Sequence, residues 1–159
     1  MFRKLGLPAG VSGSLFLHSM PGRNEPLEDA VAELRRLGIS RIISLAPLSE
    51  IRTKSPAYGQ AIEASALPAV LSSCPISDRG VPENRAEFLN SVDETASALR
   101  AGQKLLLHCG AGIGRTGTYA AAVLVRLGIP KDEALAEVGR AGSRPETTEQ
   151  LQLINSLLD

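Results

Sequence analysis

The 159-residue chain has no tryptophan, and aromatic residues make up only 3% of it. Its core must therefore be filled by Leu, Ile, Val and Ala, without the large area that buried rings supply. Cysteine is scarce, with only Cys74 and Cys109. A small secreted scaffold carries more cysteines, in pairs, so two in different local contexts fit a reducing cytosol. No sign of charge is in excess: Lys+Arg and Asp+Glu both number 17, for a formal net charge of +0. That balance argues against broad electrostatic capture of nucleic acid or a membrane surface. Long apolar runs are also missing. The N-terminus has two early basic residues, but its longest apolar run is LFL, flanked by glycines and prolines. That is too short for the apolar region of a signal peptide, and nothing in the chain approaches a membrane span. A cytoplasmic protein is expected.

What is there suffices for a core. Hydrophobic residues account for 43% of the chain, and the length suits one domain over 1–159. SLFL (14–17), RIISLA (41–46), AVLSSC (69–74) and KLLLH (104–108) read as strands, the last buried on both faces. PLEDAVAELRRLG (26–38) has leucines and valine at helical spacing, acids early, arginines late and a closing glycine. Segment 55–67 has the makings of a weak helix. Segments 82–102, 116–128, 130–142 and 145–159 read as further helices, and PISDRGVP (75–82) as a loop. Strands thus alternate with helices and helices finish the chain. The expected fold is α/β, with a mostly parallel sheet of about four to five strands flanked by helices and a C-terminal helical cluster.

The stretch HCGAGIGRTG (108–117) carries most of the chemistry. Gly112, Gly114 and Gly117 fit the G-x-G-x-x-G pattern of dinucleotide sites. That pattern needs further strand–helix units and an acid at the end of the next strand. Only 42 residues follow Gly117, they look helical throughout, and Asp132 and Glu133 fall at a helix start. A phosphate nest uses more of the residues. Cys109 directly follows a buried strand, and Arg115 stands six positions later at a helix start. The small residues Gly110, Ala111, Gly112, Ile113 and Gly114 let the chain between them curl so that N–H groups converge on a phosphate. The helix N-terminus adds a positive dipole, and the Arg115 fork can take two phosphate oxygens. The same field favours a thiolate at Cys109, and in-line attack on phosphorus follows from that.

His108, Cys109, Arg115 and Thr116 resemble the H-C-x5-R-T/S signature of the cysteine-dependent protein tyrosine phosphatase superfamily. The resemblance implies that Cys109 is the nucleophile and forms a phosphocysteine. It implies that the 110–115 amides and Arg115 hold the phosphate. His108 would help hold the loop and favour the thiolate, and Thr116 would bond the departing sulfur.

Such a reaction needs a proton donor for the leaving group. Of the five aspartates, Asp29, Asp93 and Asp132 fall in or at the start of expected helices and Asp159 ends the chain. Asp78 alone lies on a loop after a strand, 31 positions before Cys109. Its setting, PISDRGVP, is similar to the acid loop of small dual-specificity phosphatases of the kinase-associated phosphatase branch. LHSMPGR and LGISRIISLAPLSEI fall in that branch's order, so the resemblance spans about residues 15–158. The late segment RPETTEQLQL departs from it. Glu146 stands where the branch often has a water-positioning Gln, and Gln150 is a second candidate for that task. A Glu there would set a negative charge near the phosphate.

Of the aromatic residues only Tyr58 could reach a site from a loop, and its context SPAYGQ does not match a phosphotyrosine-recognition loop. A shallow site is therefore expected, open to phosphoserine and phosphothreonine as well as phosphotyrosine. The resemblance further implies a monomer acting on phosphorylated proteins, without metal or cofactor and without nucleic-acid or membrane partners. A phosphatase of a non-protein phosphate, such as a phosphoinositide or nucleotide, and a non-catalytic phospho-binding module are the alternatives. No lysine lies inside the loop, which disfavours the phosphoinositide. Cys74 reads as a small buried strand residue or a redox partner of Cys109, Arg79 as a substrate contact or a solvated arginine, and His18 as structural.

Overall fold

The leucine- and isoleucine-rich runs of the sequence lie side by side in the computed structural model, which describes residues 1–158. The elements are β1 (Arg3–Lys4), β2 (Ser14–His18), α1 (Leu27–Leu37), β3 (Arg41–Ser44), α2 (Leu48–Lys54) and α3 (Pro56–Glu63). They continue with β4 (Val70–Ser73), α4 (Arg85–Arg100), β5 (Lys104–His108), α5 (Gly114–Arg126), α6 (Lys131–Arg140) and α7 (Thr148–Asn155), then a 3₁₀ turn at Ser156–Leu158. The sheet order is β1-β2-β5-β3-β4. Only β1 runs antiparallel to its neighbour.

Strand alternation divides the sheet's apolar side chains between two faces. Leu15, Leu17, Ile43, Leu105 and Leu107 pack against α4 to α7, where Val92, Leu99, Tyr119, Val123, Val138 and Ile154 meet them. Phe16, Ile42 and Leu106 point the other way, to Leu34 and Ile39. A third cluster, Met20, Ala46, Ile51 and Tyr58, fills the space under α2 and α3. The α/β architecture with a C-terminal helical cluster is as expected.

Several boundaries differ from the sequence reading for local reasons. The strand from 41 stops at Ser44, because Pro47 opens α2, a helix the sequence reading did not include. The helix expected from 82 starts at Arg85, where the Asn84 carboxamide accepts the Glu87 N–H at 3.1 Å. The helix expected from 116 begins two residues earlier, at Gly114. The one expected over 145–159 starts at Thr148, capped by the Thr147 hydroxyl, and its last residue, Asp159, lies outside the described residues. Strand β1, two residues long, is new.

The four parallel strands end at one edge of the sheet. β5 sits between β2 and β3, with His108 level with His18 and Ser44. The loop after β5 is therefore flanked by the loops after β2 and β3, the usual place for a site in such a sheet.

Candidate active site

Five carbonyls of the loop from Cys109 to Gly114 turn outward, each to a donor. The Cys109 carbonyl accepts from His108 Nδ1 at 2.9 Å, and Gly110 from the Met20 N–H at 3.0 Å. Gly112 accepts from Arg3 Nη2 and Ser143 Oγ, both at 2.7 Å. Ile113 accepts from the N–H groups of Gly117 and Arg144 at 2.8 and 3.1 Å, and Gly114 from Thr118 Oγ1 at 2.7 Å. In a trans peptide the N–H points opposite to the carbonyl. Outward carbonyls at 109, 110, 112, 113 and 114 therefore turn the amides of 110, 111, 113, 114 and 115 inward. The Gly112 amide points at Cys109 Sγ, 3.2 Å away. Gly112 has φ +77° and its Cα faces the His18–Ser19 backbone so closely that a Cβ would meet it at 2.5 Å. Only glycine fits both demands.

Cys109 is buried, and its sulfur takes a second bond from Thr116 Oγ1 at 3.1 Å. Arg115, 2% exposed, is held by a carboxylate the sequence reading did not single out. Glu50, in the first turn of α2, accepts from Arg115 Nη1 at 2.9 Å and from Nη2 at 2.8 Å. Nη1 also donates to the Ile76 carbonyl at 2.8 Å. Burial, the largest single effect, would lower the Arg115 pKa, but the Glu50 bonds together with the negative charges of Cys109, Glu50 and Asp78 raise it. In turn Arg115, aided by Lys54, holds Glu50 below its usual carboxylate range despite burial. Lys54 Nζ lies 3.1 Å from Glu50 Oε2, and a Cβ on Gly110 would meet it at 3.2 Å. Helix α2 thus sets an ion pair, Glu50 and Lys54, at the loop's rim.

Asp78 stands beside this pair. Its Oδ1 is 3.3 Å from Arg115 Nη2, and its side chain is 63% exposed. Three bonds tie its loop down: the Ile76 carbonyl to Arg115, the Ile76 N–H to the Leu45 carbonyl at 2.8 Å, and the Gly80 carbonyl to Gln150 Nε2 at 3.0 Å. Arg79 is exposed, with φ +62°, in the turn closed by the Gly80 N–H and the Ser77 carbonyl.

His108 is fully buried, and that burial pushes it down to about 4. It is neutral at pH 7, with Nδ1 donating to the Cys109 carbonyl and Nε2 accepting from the Tyr58 hydroxyl at 2.8 Å. Such an imidazole holds the loop but supplies no charge to the thiol. Tyr58 is part of α3, fully buried, and braces His108 rather than facing a ligand.

The two late candidates are placed differently. Glu146 reaches the loop: a Cβ on Gly114 would collide with its Oε1. Gln150 is buried and engaged at both ends, its Oε1 accepting the Glu146 N–H at 2.8 Å and its Nε2 bonding Gly80. Cys74 is half-buried, and burial pushes its thiol up. His18 pairs with Glu25, and its ring packs at a tilt against Phe2. Glu50, Lys54, Arg3 and Ser143 went unremarked in the sequence, where each is an ordinary polar residue far from Cys109. No helix among the described residues is long and apolar enough to cross a membrane.

The chain matches known proteins over most of its length. The family model described as a polymorphic toxin system DSP-PTPase phosphatase covers residues 18–129. The "Putative tyrosine phosphatase 197R" of Invertebrate iridescent virus 6 is 31% identical over 136 residues, covering 83% of this chain and 48% of that protein. The chain thus spans about half the length of this curated relative. Among solved structures, kinase associated phosphatase (KAP), with its catalytic-site cysteine replaced by serine, superposes with a TM-score of 0.79 at 23% identity, over 99% of this chain and 91% of that one. The active form of Tk-PTP gives 0.68 at 25% identity, over 93% of each chain.

Proposed function

The chain belongs to this family of DSP-PTPase phosphatases, and we propose on that premise that it hydrolyses phosphomonoesters on phosphotyrosine and phosphoserine or phosphothreonine proteins through a phosphocysteine. The observation that carries the reading is the sulfur's setting. Cys109 Sγ accepts two hydrogen bonds in a loop of inward amides, under an arginine whose Nη2 lies 3.3 Å from Asp78.

In the first step Cys109 attacks phosphorus while Arg115 and the inward amides hold the other phosphate oxygens. The bond to the leaving oxygen breaks, and Asp78 gives that oxygen its proton. In the second step water attacks the phosphocysteine and Asp78 takes the water's proton. The S–P bond breaks as Thr116 bonds the departing sulfur, and inorganic phosphate leaves. The residues involved are Cys109, Arg115, Asp78, Thr116 and His108, on a chain we read as one domain. Nothing in this scheme calls for a metal or cofactor.

Phosphate release with EDTA present tests the scheme, across phosphotyrosine, phosphoserine, phosphothreonine and phosphoinositide substrates. Turnover should vanish in Cys109→Ser and fall by roughly a hundredfold or more in Asp78→Ala, the worth of a general acid. No release from any substrate, with phosphopeptide binding retained, would leave a binding module instead. A second reading, a substrate with a further anionic group such as a phosphoinositide, is favoured by Lys54 at the rim beside Gly110. A phosphoinositide preference that Lys54→Met abolishes would select it.

A further inference from the structure

Arg3 lies 106 positions before Cys109 and outside the stretch 18–129 that the family model matches. Its guanidinium nevertheless reaches the underside of the phosphate loop. Nη2 donates to the Gly112 carbonyl at 2.7 Å, and Nη1 to the Ala141 carbonyl at 2.8 Å and Ser143 Oγ at 3.0 Å. Ser143 Oγ, buried and also outside the matched stretch, donates to the same Gly112 carbonyl. Two side chains from opposite ends of the chain thus converge on one backbone oxygen.

That oxygen belongs to the Gly112–Ile113 peptide, whose N–H is one of the inward amides. A peptide next to a glycine turns over easily, because no Cβ restricts it. Turned over, it would present an oxygen to the phosphate and withdraw a donor. A charged donor on the Gly112 oxygen opposes that turn more strongly than a neutral one.

We infer that Arg3 is a positioning residue for the phosphatase reaction: it pins the Gly112 carbonyl outward so that the Ile113 amide faces the phosphate. The inference rests on the phosphatase reading above. Strand β1 gains a purpose from it, since pairing Arg3 with Leu17 and Lys4 with Phe16 fixes where the guanidinium stands.

The test compares wild type with Arg3→Ala, Arg3→Lys and Ser143→Ala. It uses tungstate affinity and kcat/KM on p-nitrophenyl phosphate, with kcat and KM read separately. Losing one properly aimed amide costs about a hundredfold in rate, so Arg3→Ala should lose roughly that in kcat/KM. It should also bind tungstate at least tenfold more weakly. Arg3→Lys keeps a charged donor but not the fork, so it should lose tungstate affinity and kcat/KM to a smaller degree. Ser143→Ala should do the same, more mildly. A folded Arg3→Ala protein with wild-type tungstate affinity and kcat/KM would overturn the inference. If Arg3→Ala does not fold, Arg3→Lys decides: wild-type tungstate affinity there overturns it too. A wild-type protein that neither binds tungstate nor releases phosphate would instead overturn the phosphatase reading.

Discussion

Glu50 and Arg115 meet as two parallel hydrogen bonds, Nη1 to Oε1 and Nη2 to Oε2, at 2.9 and 2.8 Å. The fork that would grip a phosphate is therefore held from behind by a fixed carboxylate. Removing one partner of a buried pair leaves the other charge without compensation. Glu50→Gln should cost about 3 kcal/mol of stability, the low end for a broken buried pair, since Ile76 and Asp78 still hold Arg115. Urea unfolding measures it. A loss under 1 kcal/mol, with kcat/KM unchanged, would show that Arg115 needs no such brace.

His108 gives a pH signature. Burial holds it at about 4 in the fold, against about 6.5 in an unfolded chain. Between those values the unfolded chain binds a proton that the folded one refuses. Its contribution is complete above about pH 6.5 and is lost as pH falls towards 4. At 1.36 kcal/mol per pH unit the window is worth roughly 3 kcal/mol. Urea midpoints of His108→Gln should therefore fall less than those of wild type between pH 6.5 and 4.5. Tyr58→Phe, which leaves Nε2 a buried acceptor without its donor, should cost about 1–3 kcal/mol at pH 7. Parallel pH curves for wild type and His108→Gln would refute the neutral imidazole.

Glu146 is exposed, and its carboxylate lies beside Gly114 of the loop, so its negative charge opposes a phosphate entering there. Like charges a few ångströms apart cost at least about 1 kcal/mol. If hydrolysis of phosphocysteine limits turnover, Glu146→Gln should raise kcat roughly fivefold. It should also shrink the pre-steady-state burst. kcat/KM should rise too, since the same charge opposes the incoming phosphate. A lower kcat with an unchanged burst would show that Glu146 helps the second step rather than hindering it.

Gly117 packs against the chain segment that carries this glutamate. A Cβ there would meet the Arg144 backbone at 2.5 to 2.7 Å. That backbone cannot withdraw freely, because the Arg144 N–H bonds the Ile113 carbonyl. Alanine favours a helix by about 1 kcal/mol over glycine, but the clash acts on rigid backbone and outweighs it. Gly117→Ala should lose about 2 kcal/mol net, and roughly 4–8 °C in melting temperature. An unchanged melting temperature would mean that the 141–147 segment yields.

The sequence disclosed the loop itself because its parts are contiguous. Cys109, Arg115 and Thr116 stand within eight residues, and a strand and a helix with clear patterns frame them. Asp78 emerged by elimination, since the other aspartates fell in helices or at the end. The bracing residues did not emerge. Arg3, Glu50, Tyr58 and Ser143 come together only through the order β1-β2-β5-β3-β4, which no local pattern specifies. Helix α2 was missed although Pro47 precedes it and Lys54 ends it, because seven residues carry too little periodicity. Strand β1 is shorter still.

The outward carbonyls have a thermodynamic side. Folding fixes the inward N–H dipoles of 110–115 in mutual repulsion, whether or not an anion is bound. An oxyanion that enters relieves that repulsion and binds the folded chain alone. Inorganic phosphate, the product, is then a ligand of the native state and raises its stability by RT ln(1 + [L]/Kd), about 2.7 kcal/mol at a hundredfold excess over Kd. Product inhibition and thermal protection become one quantity, read once in the kinetics and once in the melting curve.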